Sequence, residues 1–192
     1  MHPQEGGYRS ASGRPGHREG LRAIRAQGQG RPRGKGRETR EKPQGGRVTL
    51  IDVTVQVHAP ELQDVEIATF VERVLELEGA SLDLSVVVLS DEEIRQINRE
   101  FLGHDFATDV LAFDLREDGQ VGPDGEILVS IDHARREAGA RSHGIADELL
   151  FYVAHGVLHL LGYDDHDPEE RARMHARQAH LMNALGRTVD PS

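Results

Sequence analysis

His155 and His159 stand four residues apart in the most apolar stretch of this 192-residue chain, Ile145 to Leu161. On a helix that spacing puts both imidazoles on one face, with Cβ atoms roughly 5–6 Å apart. Two neutral imidazoles so placed can bind one Zn²⁺. Gly162 stops the helix three residues after His159, so the chain can turn back with a third donor. Asp165 and His166 are the candidates. A lone H-x-x-x-H among 11 histidines would be weak evidence, but this pair has an apolar helix before it and a donor-rich loop behind it. A metal with three protein donors and an open position activates water or polarises a phosphoryl oxygen. The chain has no cysteine, which excludes a disulfide framework, a Cys-ligated zinc finger and a thiol nucleophile. The acidic cluster Asp164, Asp165 and Asp167 lacks the twelve-residue spacing of an EF-hand loop. His133, His143, His175 and His180 read as surface or helix-packing residues.

The elements that must position these donors follow from periodicity. Thr49 to His58 alternates with period two and reads as a half-buried strand ended by Pro60. Glu61 to Glu78 carries Val65, Ala68, Val71, Val74 and Leu75 at helical spacing, with Gly79 as a stop. Leu82 to Leu89 reads as a more buried strand. Ser90 caps the next helix, with Glu93 completing a capping box, and Ile94, Ile97 and Phe101 form its apolar face before Gly103. Val110 to Leu115 and Glu126 to Ile131 form strands three and four, joined as a long hairpin across a turn-rich excursion. Asp132 is the expected cap of a helix through about Arg141. The histidine helix is the central one, and a last helix spans about Glu169 to Leu185. The order predicts an α/β (α+β) domain: a small mixed β-sheet of about four strands packed with helices, one of them the central metal-binding helix.

Apolar residues make up 37% of the chain, enough for one modest core. No apolar run approaches the ~18–20 residues of a membrane helix. No apolar h-region follows Met1, so a cytoplasmic protein is expected, without membrane association. The net charge of −10 divides unevenly. Residues 1–47 hold 12 Lys+Arg against 4 Asp+Glu, a balance of +8, and 11 of the 21 glycines. Almost no large apolar side chains occur there, so 1–47 is expected to be a disordered basic tail. It is either dispensable, the product of an upstream start, or an RNA-phosphate contact through residues such as Arg31, Arg33, Arg37 and Arg40. Residues 48–187 form the expected folded domain. From residue 48 on, 11 Arg face 29 Asp+Glu, a balance of −18, and Lys is absent.

The string H-G-V-L-H-L-L-G-Y-D-D-H (residues 155–166) is close to the metzincin spacing H-E-x-x-H-x-x-G-x-x-H, but Gly156 replaces the catalytic Glu, which argues against peptide hydrolysis. It resembles more fully the YbeY family signature H-G-x-L-H-L-x-G-Y-D-H. Two further blocks resemble that family in the same order. Ile97 to Phe113, I-N-R-E-F-L-G-H-D-F-A-T-D-V-L-A-F, matches L-N-x-x-Y-R-x-K-D-x-P-T-D-V-L-S-F, and Gly125 to Ala138 matches G-D-I-x-I-S-x-x-x-A-x-x-Q-A. The resemblance covers about Val48 to Leu185.

What the resemblance implies is a zinc-dependent, single-strand-specific endoribonuclease. It would mature the 3′ end of small-subunit ribosomal RNA and act in ribosome quality control, with ribosomal RNA and the small subunit as partners. The family's third histidine falls at Asp165 here, one residue before His166. Asp165 is therefore favoured as third ligand and His166 stays as the alternative. Leu102 stands where the family has an Arg, so Arg99, one turn earlier, is the candidate substitute for phosphate contact. His104 and Asp109, in H-D-F-A-T-D, either face the metal cleft or serve turn chemistry. A domain at −18 repels a polyanion, so Arg135, Arg136 and Arg141, with the metal, are the expected positive face. The second reading is a metal-binding ribosome-assembly factor with little turnover.

Overall fold

The computed structural model describes residues 11–12, 49–116, 122–141 and 143–189. The described elements are β1 (Ala11–Ser12), β2 (Ile51–Val55), α1 (Asp64–Leu77), β3 (Leu84–Leu89), α2 (Asp91–Leu102), β4 (Val110–Asp114), β5 (Gly125–Ser130), α3 (Ile131–Ala140), α4 (Ile145–Leu160) and α5 (Pro168–Ala184). The sheet order is β1-β4-β5-β3-β2. Strands β2, β3 and β5 run parallel, and β4 returns antiparallel to β5 as the hairpin pattern predicts. The four expected strands are all present. The two residues of β1 add a short parallel pairing along the outer edge of β4, opposite Phe113 and Asp114. The remaining expected disorder of 1–47 lies outside the described residues.

Both faces of the sheet are covered, which is why β3 and β5 are buried at every position. Alternate residues of β3 divide between two cores. Leu84, Val86 and Val88 join Ile127, Val129 and the apolar faces of α1, α4 and α5. Val87 and Leu89 join Leu111, Phe113 and Leu128 under Ile94 and Ile97 of α2. The large core thus lies on the face that carries the histidine helix.

Caps set the helix boundaries. Ser90 Oγ accepts from the Glu93 amide at 3.3 Å while Glu93 Oε2 accepts from the Ser90 amide at 2.8 Å, the reciprocal pair expected from the sequence. Ser130, not Asp132, caps α3, accepting from the His133 amide at 3.1 Å. The helix already starts at Ile131, so Asp132 lies in its first turn and instead accepts from the Asp91 amide at 3.1 Å. Asp167 caps α5 through the Glu169 amide at 2.8 Å, with Pro168 as first helical residue. Gly162, at φ +94°, supplies the left-handed turn that ends the histidine segment.

Helix α4 lies directly on the sheet, and a glycine makes the contact possible. A Cβ on Gly156 would sit 2.8 Å from Ile127 Cγ2 and 3.3 Å from Val110 Cγ2. Alanine at 156 gains about 1 kcal/mol in helix propensity but overpacks a closed core at a cost of about 1–3 kcal/mol. Gly156→Ala is therefore expected to lower stability in urea denaturation. It should also weaken metal binding, because α4 must lift off β5 and carry both histidines with it. A more stable variant with unchanged metal affinity would refute this packing account.

Candidate metal centre

The α4 backbone brings the two imidazoles together edge to face, with ring centroids 4.6 Å apart and their Nε2 atoms 3.0 Å apart. Beyond Gly162 the chain returns and sets Asp165 Oδ2 4.0 Å from each Nε2. The three candidate ligand atoms all lie within 4.8 Å of one another. The loop carrying Asp165 is pinned at Tyr163, whose hydroxyl donates to Glu78 Oε2 at 3.1 Å while Arg177 Nε donates to Glu78 Oε1 at 2.6 Å.

The other ring nitrogens determine what the Nε2 atoms can do. His159 Nδ1 lies 3.1 Å from the Tyr163 carbonyl, which only accepts, so this nitrogen carries the proton. His155 Nδ1 lies 3.2 Å from Gln178 Oε1. Gln178 is fully buried, and its Nε2 donates to the Phe151 carbonyl at 2.8 Å, which assigns Oε1 as the acceptor facing His155. Both Nε2 atoms therefore present lone pairs, and at 3.0 Å those lone pairs repel unless a cation lies between them. A proton is disfavoured on His159: burial first, then the neighbouring His155, push its pKa down to about 3.

The donor set fits a metal ion. Zinc bonds of about 2.0–2.2 Å in tetrahedral arrangement place ligand atoms roughly 3.3 Å apart, and the observed 3.0 and 4.0 Å bracket that value. The side chains of His155 and Asp165 keep 15% and 13% of their surface open, so a substrate can reach one side of the site. Anchoring of a ligand's second nitrogen by a buried carbonyl is the usual means of fixing its tautomer and direction.

His166 is not part of this convergence. Its side chain is 61% exposed and bonds the Asp164 carboxylate, with Nδ1 3.9 Å from Asp165 Oδ1. Asp164 Oδ1 also accepts from the amides of Asp165 at 2.7 Å and His166 at 3.1 Å, a turn that points Asp165 inward and His166 outward. Arg99 lies on α2, which covers the other sheet face, and its exposed guanidinium is 3.9 Å from Asp105. The ring of His104 packs on Phe106 with centroids 5.5 Å apart. Asp109 Oδ1 accepts from Thr108 Oγ1 at 2.8 Å and the Val110 amide at 2.9 Å, a turn-capping role at the start of β4. It stands next to Val110, which reaches Gly156 between the two histidines.

The expected positive face of Arg135, Arg136 and Arg141 does not form. Arg135 bonds Glu61 at 2.9 Å, Arg136 bonds Asp91, and Arg141 bonds Glu148 at 3.1 Å, so each charge is matched. His143, expected as a surface or helix-packing residue, packs against α4 with its ring on the Glu148 carboxylate. The sequence reading places α5 but misses its contribution to the site. Arg171 Nε donates to the Asp165 carbonyl at 2.9 Å, the His175 ring lies 6.5 Å from that of His155, and Gln178 holds His155. Their spacing, 171, 175 and 178, is one helix face, and that periodicity was the available signal.

Comparison with known proteins identifies the family. The family described as Endoribonuclease YbeY matches residues 52–186. Endoribonuclease YbeY of Bacillus subtilis (strain 168) is 36% identical over 151 residues, covering 72% of this chain and 95% of its own. That of Chlorobium phaeovibrioides is 38% identical over 141 residues, covering 71% and 94%. The solution structure of TM1509 from Thermotoga maritima is similar with a TM-score of 0.51 at 26% identity, covering 74% of this chain and 99% of that one. With a family match over residues 52–186 and curated relatives at 36–38% identity covered over 94–95% of their own length, the chain belongs to the YbeY family of endoribonucleases.

Proposed function

We propose that this chain binds one Zn²⁺ through His155, His159 and Asp165 and cleaves single-stranded RNA in the cytoplasm. Its role would lie in maturing the 3′ end of small-subunit ribosomal RNA and in ribosome quality control. The observation that carries the reading is the convergence of two lone-pair-bearing Nε2 atoms and one carboxylate oxygen at a largely buried site that keeps a small opening to solvent. Bound there, zinc supplies Lewis acidity toward a phosphoryl oxygen and acidifies water. The protein's own work is positional. Gln178 and the Tyr163 carbonyl hold the imidazoles, the Asp164 turn holds Asp165, and the exposed side admits the RNA backbone. Among the described residues no helix is long and apolar enough to cross a membrane.

A second reading, a metal-binding ribosome-assembly factor with little turnover, has one observation in its favour. Leu102 replaces the family's Arg, and the nearby Arg99 is engaged with Asp105. Chelator-treated protein re-supplied with Zn²⁺, assayed on a single-stranded and a duplexed RNA, separates the two readings. Zinc-restored cleavage confined to the single strand is the expected result. Full metal occupancy and tight RNA binding without cleavage would favour the assembly factor.

A further inference from the structure

Residues 48–192 hold eleven arginines and no lysine. Ten of the eleven have a carboxylate oxygen within 3.9 Å. Arg171 is the exception among the described residues. Its Nε donates to a neutral acceptor, the backbone carbonyl of Asp165, at 2.9 Å. No described residue accepts from its two Nη groups, and the side chain is exposed. Among the described residues of a strongly acidic domain, the one arginine without a carboxylate neighbour is thus fastened to the residue that closes the metal centre.

Its setting is specific. Arg171, His175 and Gln178 share one face of α5. Gln178 holds His155 from beneath, His175 stands 6.5 Å from the His155 ring, and Arg171 grips the backbone of Asp165. The bond through Nε orients the guanidinium plane, and the four N–H donors of the two Nη groups belong to an exposed side chain. A planar, fixed guanidinium is the side chain best suited to two-point recognition of a phosphodiester. An isolated positive charge within a field of net −18 is also where a polyanion can first be held.

We propose that Arg171 is the phosphate-binding residue of this site, holding an RNA phosphodiester next to the metal centre through its Nη groups. The proposal rests on the endoribonuclease reading for the identity of its ligand. It places the substrate cation on α5, after the ligand loop, and not on α2, where Arg99 lies 3.9 Å from Asp105 on the other face of the sheet.

The test uses the zinc-loaded full chain and a single-stranded 2′-O-methyl oligonucleotide, which binds but is not cut. Dissociation constants are measured over a KCl series. Each phosphate contact to a single strand contributes about 0.7 to the slope of log K against log salt. Arg171→Gln should therefore lower the slope by about 0.7, and Arg171→Lys should restore it. Arg173→Gln, at an exposed neighbour paired with Glu170, should leave it unchanged. On cleavable RNA, Arg171→Gln should raise KM about tenfold, with kcat and zinc content retained. An unchanged slope in Arg171→Gln would overturn the proposal. So would loss of zinc and kcat together that lysine fails to rescue, since that is the signature of a bond serving only to hold Asp165. A parent protein that binds the oligonucleotide through Arg171 yet cuts no RNA would support this contact while refuting the nuclease reading. A parent that binds no RNA overturns the contact itself.

Discussion

Alanine at His155, His159 or Asp165 is expected to remove the bound metal and to cut RNA cleavage by more than about 100-fold. Groups that merely orient a ligand already account for 10–100-fold in metal affinity or activity, so loss of a ligand must exceed that range. His166→Ala is expected to leave both properties near the parent level, because His166 points to solvent and bonds Asp164. The contrast between Asp165→Ala and His166→Ala is the informative part. Metal analysis of the four purified variants, followed by cleavage assays at saturating zinc, reads it directly. Equal losses in the Asp165 and His166 variants would mean that the loop rearranges to deliver the histidine, and the assigned ligand set would be wrong.

The second large effect concerns stability. Glu148 is fully buried on α4 and accepts from Arg141 Nη1 at 3.1 Å and from the buried His143 ring. Truncating one member of a buried charged group strands the others without compensation, at a cost of about 3–5 kcal/mol. Glu148→Ala should lose that amount in urea denaturation. Glu148→Leu in combination with Arg141→Met and His143→Leu should recover much of it, because apolar replacement of a whole buried polar cluster is often neutral. Since α4 also carries both histidines, metal affinity in the single variant should fall along with stability. A loss below about 1 kcal/mol, the range of an exposed pair, would show that the cluster is solvated and its burial unimportant.

Much of this architecture is legible before any coordinates. Local signals suffice where the physics is local. Ser90 with Glu93, Gly162 after His159 and the alternation of β2 each place an element end or a face within a few residues. The hairpin of β4 and β5 follows from two apolar runs around a turn-rich segment. The failures have a common cause. Asp132 loses the cap to Ser130 because a one-residue shift in where α3 begins decides which side chain faces the free amides. Arg135, Arg136 and Arg141 read as free cations in sequence, but their partners Glu61, Asp91 and Glu148 reach them only through the tertiary fold.

The metal centre divides the same way. Helical spacing alone pairs His155 with His159, and a glycine turn brings back the loop. Spacing cannot choose between Asp165 and His166, because adjacent loop residues point to opposite sides and the choice lies with the Asp164 turn. Gln178 is 23 residues from His155 and joins it only because α5 folds back along α4. The same return brings up Arg171, which stands out only once the other described arginines have been matched to carboxylates.

The central claim is that one ion is held by two imidazoles of α4 and one carboxylate of the following loop. X-ray absorption at the zinc edge, on protein loaded with one equivalent of the metal, tests it most directly. The account predicts a shell of two imidazole nitrogens at about 2.0–2.1 Å and a carboxylate oxygen at about 2.0–2.2 Å, with the oxygen contribution lost in Asp165→Ala and kept in His166→Ala. A third imidazole in the shell, or a shell of oxygens alone that is insensitive to His155→Ala, would contradict it.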